Sequence, residues 1–170
     1  MKFAILTLLL IYSTITHSTE VQIKGTDIKF TAPTEFSALS QDVLDRKWPK
    51  INRPAWAVGN KNAKTTIAYD VKENDISQHS LNDLIPVSEQ ALDRSIPRIE
   101  WVNRKVISLA GRKWIFLEMK SAAIDADIHN ILLLSSYKNK MIMFNFNSTI
   151  DEMPKYKQIL LDSIQSIAEK

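Results

Sequence analysis

No cysteine occurs among the 170 residues. That excludes disulfides, thiolate nucleophiles and cysteine-type structural zinc together, so the fold has to rest on its hydrophobic core and its hydrogen bonds. It also excludes the lipid-attachment cysteine of a bacterial lipoprotein, and the chain is expected to have no stable membrane anchor. Glycine is nearly as scarce: Gly25, Gly59 and Gly111 are the only three, and each falls at an expected turn. The serine elbow G-x-S-x-G is absent. Of the three histidines, His17 lies in the leading segment, which leaves His79 and His129 as the possible general bases. A surplus of one charge sign is missing too, with 22 Lys and Arg against 19 Asp and Glu. Such a balance excludes the electrostatic footprint of a nucleic-acid binder.

One long apolar run is present, and it comes first. Met1-Lys2, the run Phe3–Tyr12 and the small polar stretch Ser13–Ser18 have the three parts of a secretory signal peptide, with Thr16 and Ser18 at the cleavage positions. At roughly ten residues the run is shorter than the about 20 that a spanning helix needs. The expectation is a signal over residues 1–18 and a single exported domain over 19–170, periplasmic or secreted. About 150 residues is a common size for one core.

Within that domain, Val21–Ile23 and Ile28–Thr31 alternate around Lys24-Gly25-Thr26-Asp27 and predict a hairpin. Ser40 caps a short helix whose Val43, Leu44 and Trp48 share a face and which Pro49 ends. Ala55–Val58 and Thr66–Val71 form a second hairpin. Ser80 and Asp83 resemble a capping box, but Pro86 interrupts it, so a helix from Pro86 to Ile96 is expected, with Val87, Ala91, Leu92 and Ile96 toward the core. Four strands follow, over Ile99–Leu109, Lys113–Ser121, Ile128–Tyr137 and Met141–Asn147, as a meander with tight turns at Ala110-Gly111-Arg112 and Lys138-Asn139-Lys140. Tyr156, Leu160, Ile164 and Ile167 then recur at helical spacing. The order ββ-α-ββ-α-ββββ-α predicts an α+β fold: a curved antiparallel sheet of about six or more strands flanked by helices, with a C-terminal amphipathic helix packed on it.

The opening Ile28-Lys29-Phe30-Thr31-Ala32-Pro33-Thr34-Glu35-Phe36, the hairpin Thr65–Tyr69, the segment Ile107–Trp114 and the ending Tyr156–Ile167 together resemble the PsbP/DcrB-like α/β/α sandwich family. The resemblance spans most of the domain as a pattern rather than as fixed motifs. It implies a fold in which an extended "F-x-x-P" segment leads into a curved sheet. It also implies a mostly non-enzymatic setting, since such proteins include extrinsic photosystem subunits, envelope proteins and secretion-system chaperones. No residue-level functional motif comes with it.

Two clusters stand out from the residues themselves. Arg46, Trp48, Lys50, Arg53 and Trp56 combine cations and indoles in a proline-limited segment, the composition favoured where proteins bind one another. Asp125, Asp127 and His129 are spaced two apart, so on a strand they share a face and form a weak candidate metal cluster. The simpler reading of that cluster is a polar turn, with His129 on the solvent side of its strand. An acidic stretch of Asp70, Glu73, Asp75 and Asp83 offers charge steering. Asn147-Ser148-Thr149 matches a glycosylation acceptor, which matters only in a eukaryotic secretory pathway.

The function expected is that of an exported, non-enzymatic binding or accessory protein acting by protein–protein contact in the envelope, without cofactor. Three other readings remain open. One is an immunity protein holding an envelope-targeted toxin. Another is a binder of a small apolar ligand or lipid in a pocket lined by Trp101, Trp114, Phe116 and Phe144. The third is a metal-dependent hydrolase built on Asp125, Asp127 and His129.

Overall fold

The computed structural model describes residues 18–48, 53–123 and 126–170. The expected signal segment up to His17, and the candidates Lys50 and Asp125, lie outside the described residues. Strands β1 (Ser18–Gln22) and β2 (Ile28–Pro33) pair antiparallel, and β10 (Ala168–Glu169) adds to β2, giving a three-stranded sheet in the order β1-β2-β10. The other strands form one antiparallel sheet of seven. They are β3 (Ser37–Ala38), β4 (Trp56–Gly59), β5 (Thr65–Lys72), β6 (Glu100–Leu109), β7 (Arg112–Ala122), β8 (Asp127–Tyr137) and β9 (Lys140–Thr149). Their order is β3-β4-β5-β9-β8-β7-β6, so the expected meander occupies one half, and the hairpin β4–β5 joins it at β9.

Turn chemistry makes the meander close. Ala110 and Gly111 have φ of 47° and 84°, and Lys138 and Asn139 have φ of 46° and 63°. Two successive left-handed residues are what a two-residue hairpin turn of matching twist requires.

Alternation along each strand divides the sheet into two apolar faces. One face presents Ile67 and Tyr69 of β5, Trp114 and Phe116 of β7, Ile131 and Leu133 of β8, and Phe144 and Phe146 of β9. The small sheet contributes Ile28 and Phe30 to that face. Helix α3 (Met153–Gln165) closes it with Tyr156, Leu160 and Ile164, followed by Ile167, all buried as the helical spacing predicts, and Met153 of its first turn is buried with them. The opposite face carries Ile115, Leu117, Met119, Leu132 and Leu134.

Helix α2 covers the opposite face, and it differs from the sequence expectation in two respects. It runs from Leu81 to Ser95, straight through Pro86. A proline inside a helix forfeits a hydrogen bond and costs on the order of 3 kcal/mol. Here Leu81, Leu84 and Ile85 dock on the sheet and hold the first turns in place despite it. The core-facing stripe is therefore Leu81, Leu84, Ile85, Leu92 and Ile96, whereas Val87 is 60% exposed and Ala91 faces solvent. Leu92 and Ile96 face the core as expected, and the stripe they continue runs back to Ile85 and Leu81, not to Val87 and Ala91. The short helix α1 (Gln41–Lys47) begins as expected, with Ser40 Oγ accepting a hydrogen bond from Val43 N–H at 3.4 Å.

Candidate functional site

The basic-aromatic segment is divided between the two sides of the sheet. Trp56, on β4, turns to the α3 side, where it stacks on Tyr69 at 5.4 Å and meets Phe30 edge-on at 5.5 Å. It anchors the core. Trp48, just past α1, goes to the other side and with Pro54 overhangs the part of the sheet nearest β5. Arg46 is exposed in the last turn of α1, and Arg53 is ion-paired with Asp45 of the same helix.

Between this overhang and the sheet lies a groove of about 240 Å³. Ala68, Leu132 and Met143 make its apolar floor, and Asp70 and Lys72, which are ion-paired with each other, stand at its margin. Leu132 and Met143 also belong to the cluster under α2, so the groove continues the apolar surface that α2 covers farther along. Asn145 also lines it. The Asn145 Oδ1 atom is shielded from solvent and has no hydrogen-bond partner.

The acidic-histidine cluster comes apart. His129 is 8% exposed, not on the solvent side, because β8 turns its odd-numbered residues toward α3. His129 Nε2 lies 2.8 Å from Oε1 of Glu118 on β7, itself 7% exposed, and Lys157 Nζ of α3 reaches the same oxygen at 3.5 Å. The two side chains share one buried hydrogen bond, whose donor is set by the histidine tautomer. Asp127 is directed instead to Arg98, at 3.6 Å. Among the described residues no group of three potential metal ligands is found.

A polar row continues across the sheet from His129, through Ser148 beside it in register to Thr65, whose hydroxyl lies 2.7 Å from that of Ser148. Asn60 Oδ1 accepts from Thr65 N–H at 3.1 Å, and Asn60 Nδ2 donates to Glu152 at 2.9 Å. The network joins the sheet to the start of α3. Sequence reasoning missed Glu118 and Lys157. A signal existed, since Glu118 continues the phase of Trp114 and Phe116, where a charge needs a partner.

The expected ligand-lining set also separates. Trp114, Phe116 and Phe144 are packed in the α3-side core, with Trp114 5.8 Å from Phe144, whereas Trp101 pairs with Met119 and packs on the α2 side. The register shift between Trp101 and Asn103 turns Trp101 to the face opposite the other three, so the four share no pocket.

No family model matches the chain, and no curated protein matches it in sequence. Solved structures do. Cyanobacterial PsbP (CyanoP) of Synechocystis sp. PCC 6803 is similar with a TM-score of 0.63 at 13% identity, over 95% of this chain and 98% of that one. LpqN of Mycobacterium tuberculosis, described as involved in cell envelope biogenesis, gives a TM-score of 0.56 at 12% identity over 88% and 86% of the two chains. PA94 of Pseudomonas aeruginosa gives 0.53 at 12% identity over 91% and 98%. At these identities the likeness concerns architecture, and the protein has the PsbP/DcrB-like fold.

Proposed function

We propose that the protein is an exported, non-enzymatic accessory component of the cell envelope that holds another protein against the groove under Trp48. The groove carries this reading. It joins a proline and an indole, two residues along from exposed Arg46, to an apolar floor bordered by Asp70, Lys72 and Asn145. Aromatic anchors and arginine at a partly apolar depression are the features that concentrate binding energy in protein interfaces. LpqN, which shares the fold, is involved in cell envelope biogenesis, and the leading segment has the composition of an export signal. Among the described residues no helix is long and apolar enough to cross a membrane.

Site-specific photocrosslinking in the envelope tests the proposal. A crosslinker at Arg46 is expected to trap one discrete partner, and Trp48→Ala is expected to abolish that adduct while leaving the thermal transition within a few degrees. A crosslinker at exposed Lys105 on β6 should trap nothing. Persistence of the adduct in Trp48→Ala would remove the groove from the contact. Loss of function in Asp127→Ala and His129→Ala together with a bound metal would favour the hydrolase reading instead.

A further inference from the structure

A second depression lies at another place in the sheet, where β7 and β8 part. Their register ends at Ile115 and Leu134, although β7 begins at Arg112 and β8 runs to Tyr137. Beyond that pair, side chains replace the ladder. Ser135 Oγ donates to the Lys113 carbonyl at 2.8 Å, and Arg112 Nη1 donates to the Ser136 carbonyl. The opening is a cleft of about 380 Å³. Arg112, Lys113 and His79 line it, with the hydroxyl residues Ser77 and Ser136, and Ile76 and Leu81 form an apolar side.

Charge in this cleft is lopsided. Glu169 of β10 is the one carboxylate among its lining residues, and it is bonded to Arg112 Nη2. The guanidinium is held over the Tyr137 ring at 5.4 Å, and its Nε is buried without a hydrogen-bond partner. Lys113 makes no ion pair among the described residues. The first turn of α2 opens beside them, and its N-cap Ser80 makes no side-chain capping bond. A guanidinium held in place beside a second cation, in a cleft of ligand size, selects an anion. The Glu169 carboxylate shows that Arg112 Nη2 takes a carboxylate oxygen at this place.

We propose that this cleft binds a small organic anion, its carboxylate or phosphate group taken by Arg112 in competition with Glu169, its body against Ile76 and Leu81, and Lys113 at the rim adding attraction. This site is independent of the groove under Trp48. The cleft exceeds a lone oxyanion in size and falls within the range of small-molecule sites, about 300–1,000 Å³. β10 has two residues, paired with Lys29 and Ile28, so Glu169 is an internal competitor on a short hold.

Amide chemical shifts of the full domain, titrated with citrate and separately with glycerol 3-phosphate, test the proposal, with sodium chloride at matched ionic strength as reference. Saturable shifts confined to Gly111–Lys113, Ser135-Ser136 and Ser77–Leu81 are expected with one of the two probes. Citrate alone identifies a carboxylate ligand, and glycerol 3-phosphate alone identifies a phosphate ligand. Lys113→Ser, at an exposed position, should weaken binding about five- to tenfold. Glu169→Gln should tighten it about two- to fivefold, since partly exposed ion pairs are of that strength. Shifts no larger than those from chloride, or affinity unchanged in both variants, would overturn the assignment.

Discussion

Leu160 tests whether α3 is the lid that makes the main sheet fold. Its side chain is fully buried, between Tyr156 and Ile164 on a helix whose other buried residues meet Phe30, Phe36 and the β5 and β9 strands. Leu160→Ala removes that side chain and leaves a cavity beneath the helix. Losses at such sites run about 2–5 kcal/mol, of a total stability on the order of 5–15 kcal/mol. With a urea slope of about 2 kcal/mol/M for a domain of this size, the midpoint should fall by roughly 1–2.5 M. Tryptophan fluorescence reports the transition, because Trp114 is fully buried against Phe144 in the same core. Gln158→Ala, on the exposed side of the helix, should move the midpoint by no more than about 0.3 M, as surface changes do. Truncation after Asp151 removes Met153, Tyr156, Leu160, Ile164 and Ile167 together, at roughly 1.5–3 kcal/mol each, and should abolish the cooperative transition. An unchanged midpoint in Leu160→Ala, or a cooperative transition in the truncated chain, would refute the packing argument.

Glu118→Ala leaves buried His129 Nε2 without its carboxylate, and a loss of about 1–3 kcal/mol is expected, read as a thermal midpoint lower by roughly 3–10 °C. Glu118→Gln should recover most of it, and equal loss in both variants would assign the effect to packing. Gly59→Ala should destabilise by about 1–3 kcal/mol, because the added Cβ would lie 2.8 Å from Leu39 Cδ2 and 2.9 Å from the Thr65 carbonyl, a backbone atom with little room to yield; calorimetry measures it. Lys29 bonded to Glu20, and the Ser77 N–H bonded to Asp75, hold both carboxyls below their ordinary values. A lowered folded pKa contributes stability that is present above the unfolded value and lost as pH falls through the folded one. Carboxyl NMR titrations should therefore give midpoints below 4.5 for Glu20 and below 3.8 for Asp75, with Lys29→Met returning Glu20 toward its ordinary value.

Much of the architecture was legible in the sequence, because strand and helix boundaries depend on local chemistry. Alternation placed β6 to β9 within a residue or two of their observed ends, and the left-handed turns at Ala110-Gly111 and Lys138-Asn139 fell where turn residues interrupt it. The apolar stripe of α3 and the Ser40 cap were equally local. Helix α2 was legible only in part, since its passage through Pro86 depends on docking by Leu81, Leu84 and Ile85 to a sheet formed later in the chain.

The sites depended on tertiary structure because they bring together residues whose contacts the local pattern does not encode. Period-two alternation says that Trp101 and Trp114 lie on faces, but the bulge between Trp101 and Asn103 changes the phase and sends them to opposite sides. The same sheet turns His129 inward to Glu118 and directs Asp127 to Arg98. Trp48 and Trp56 are eight positions apart, yet one overhangs a groove and the other stacks in the core. Composition determined that this chain must fold without disulfides around a large apolar core. Which cations and indoles remained available for a partner was decided by strand register, since one residue of register moves a side chain from one face of the sheet to the other.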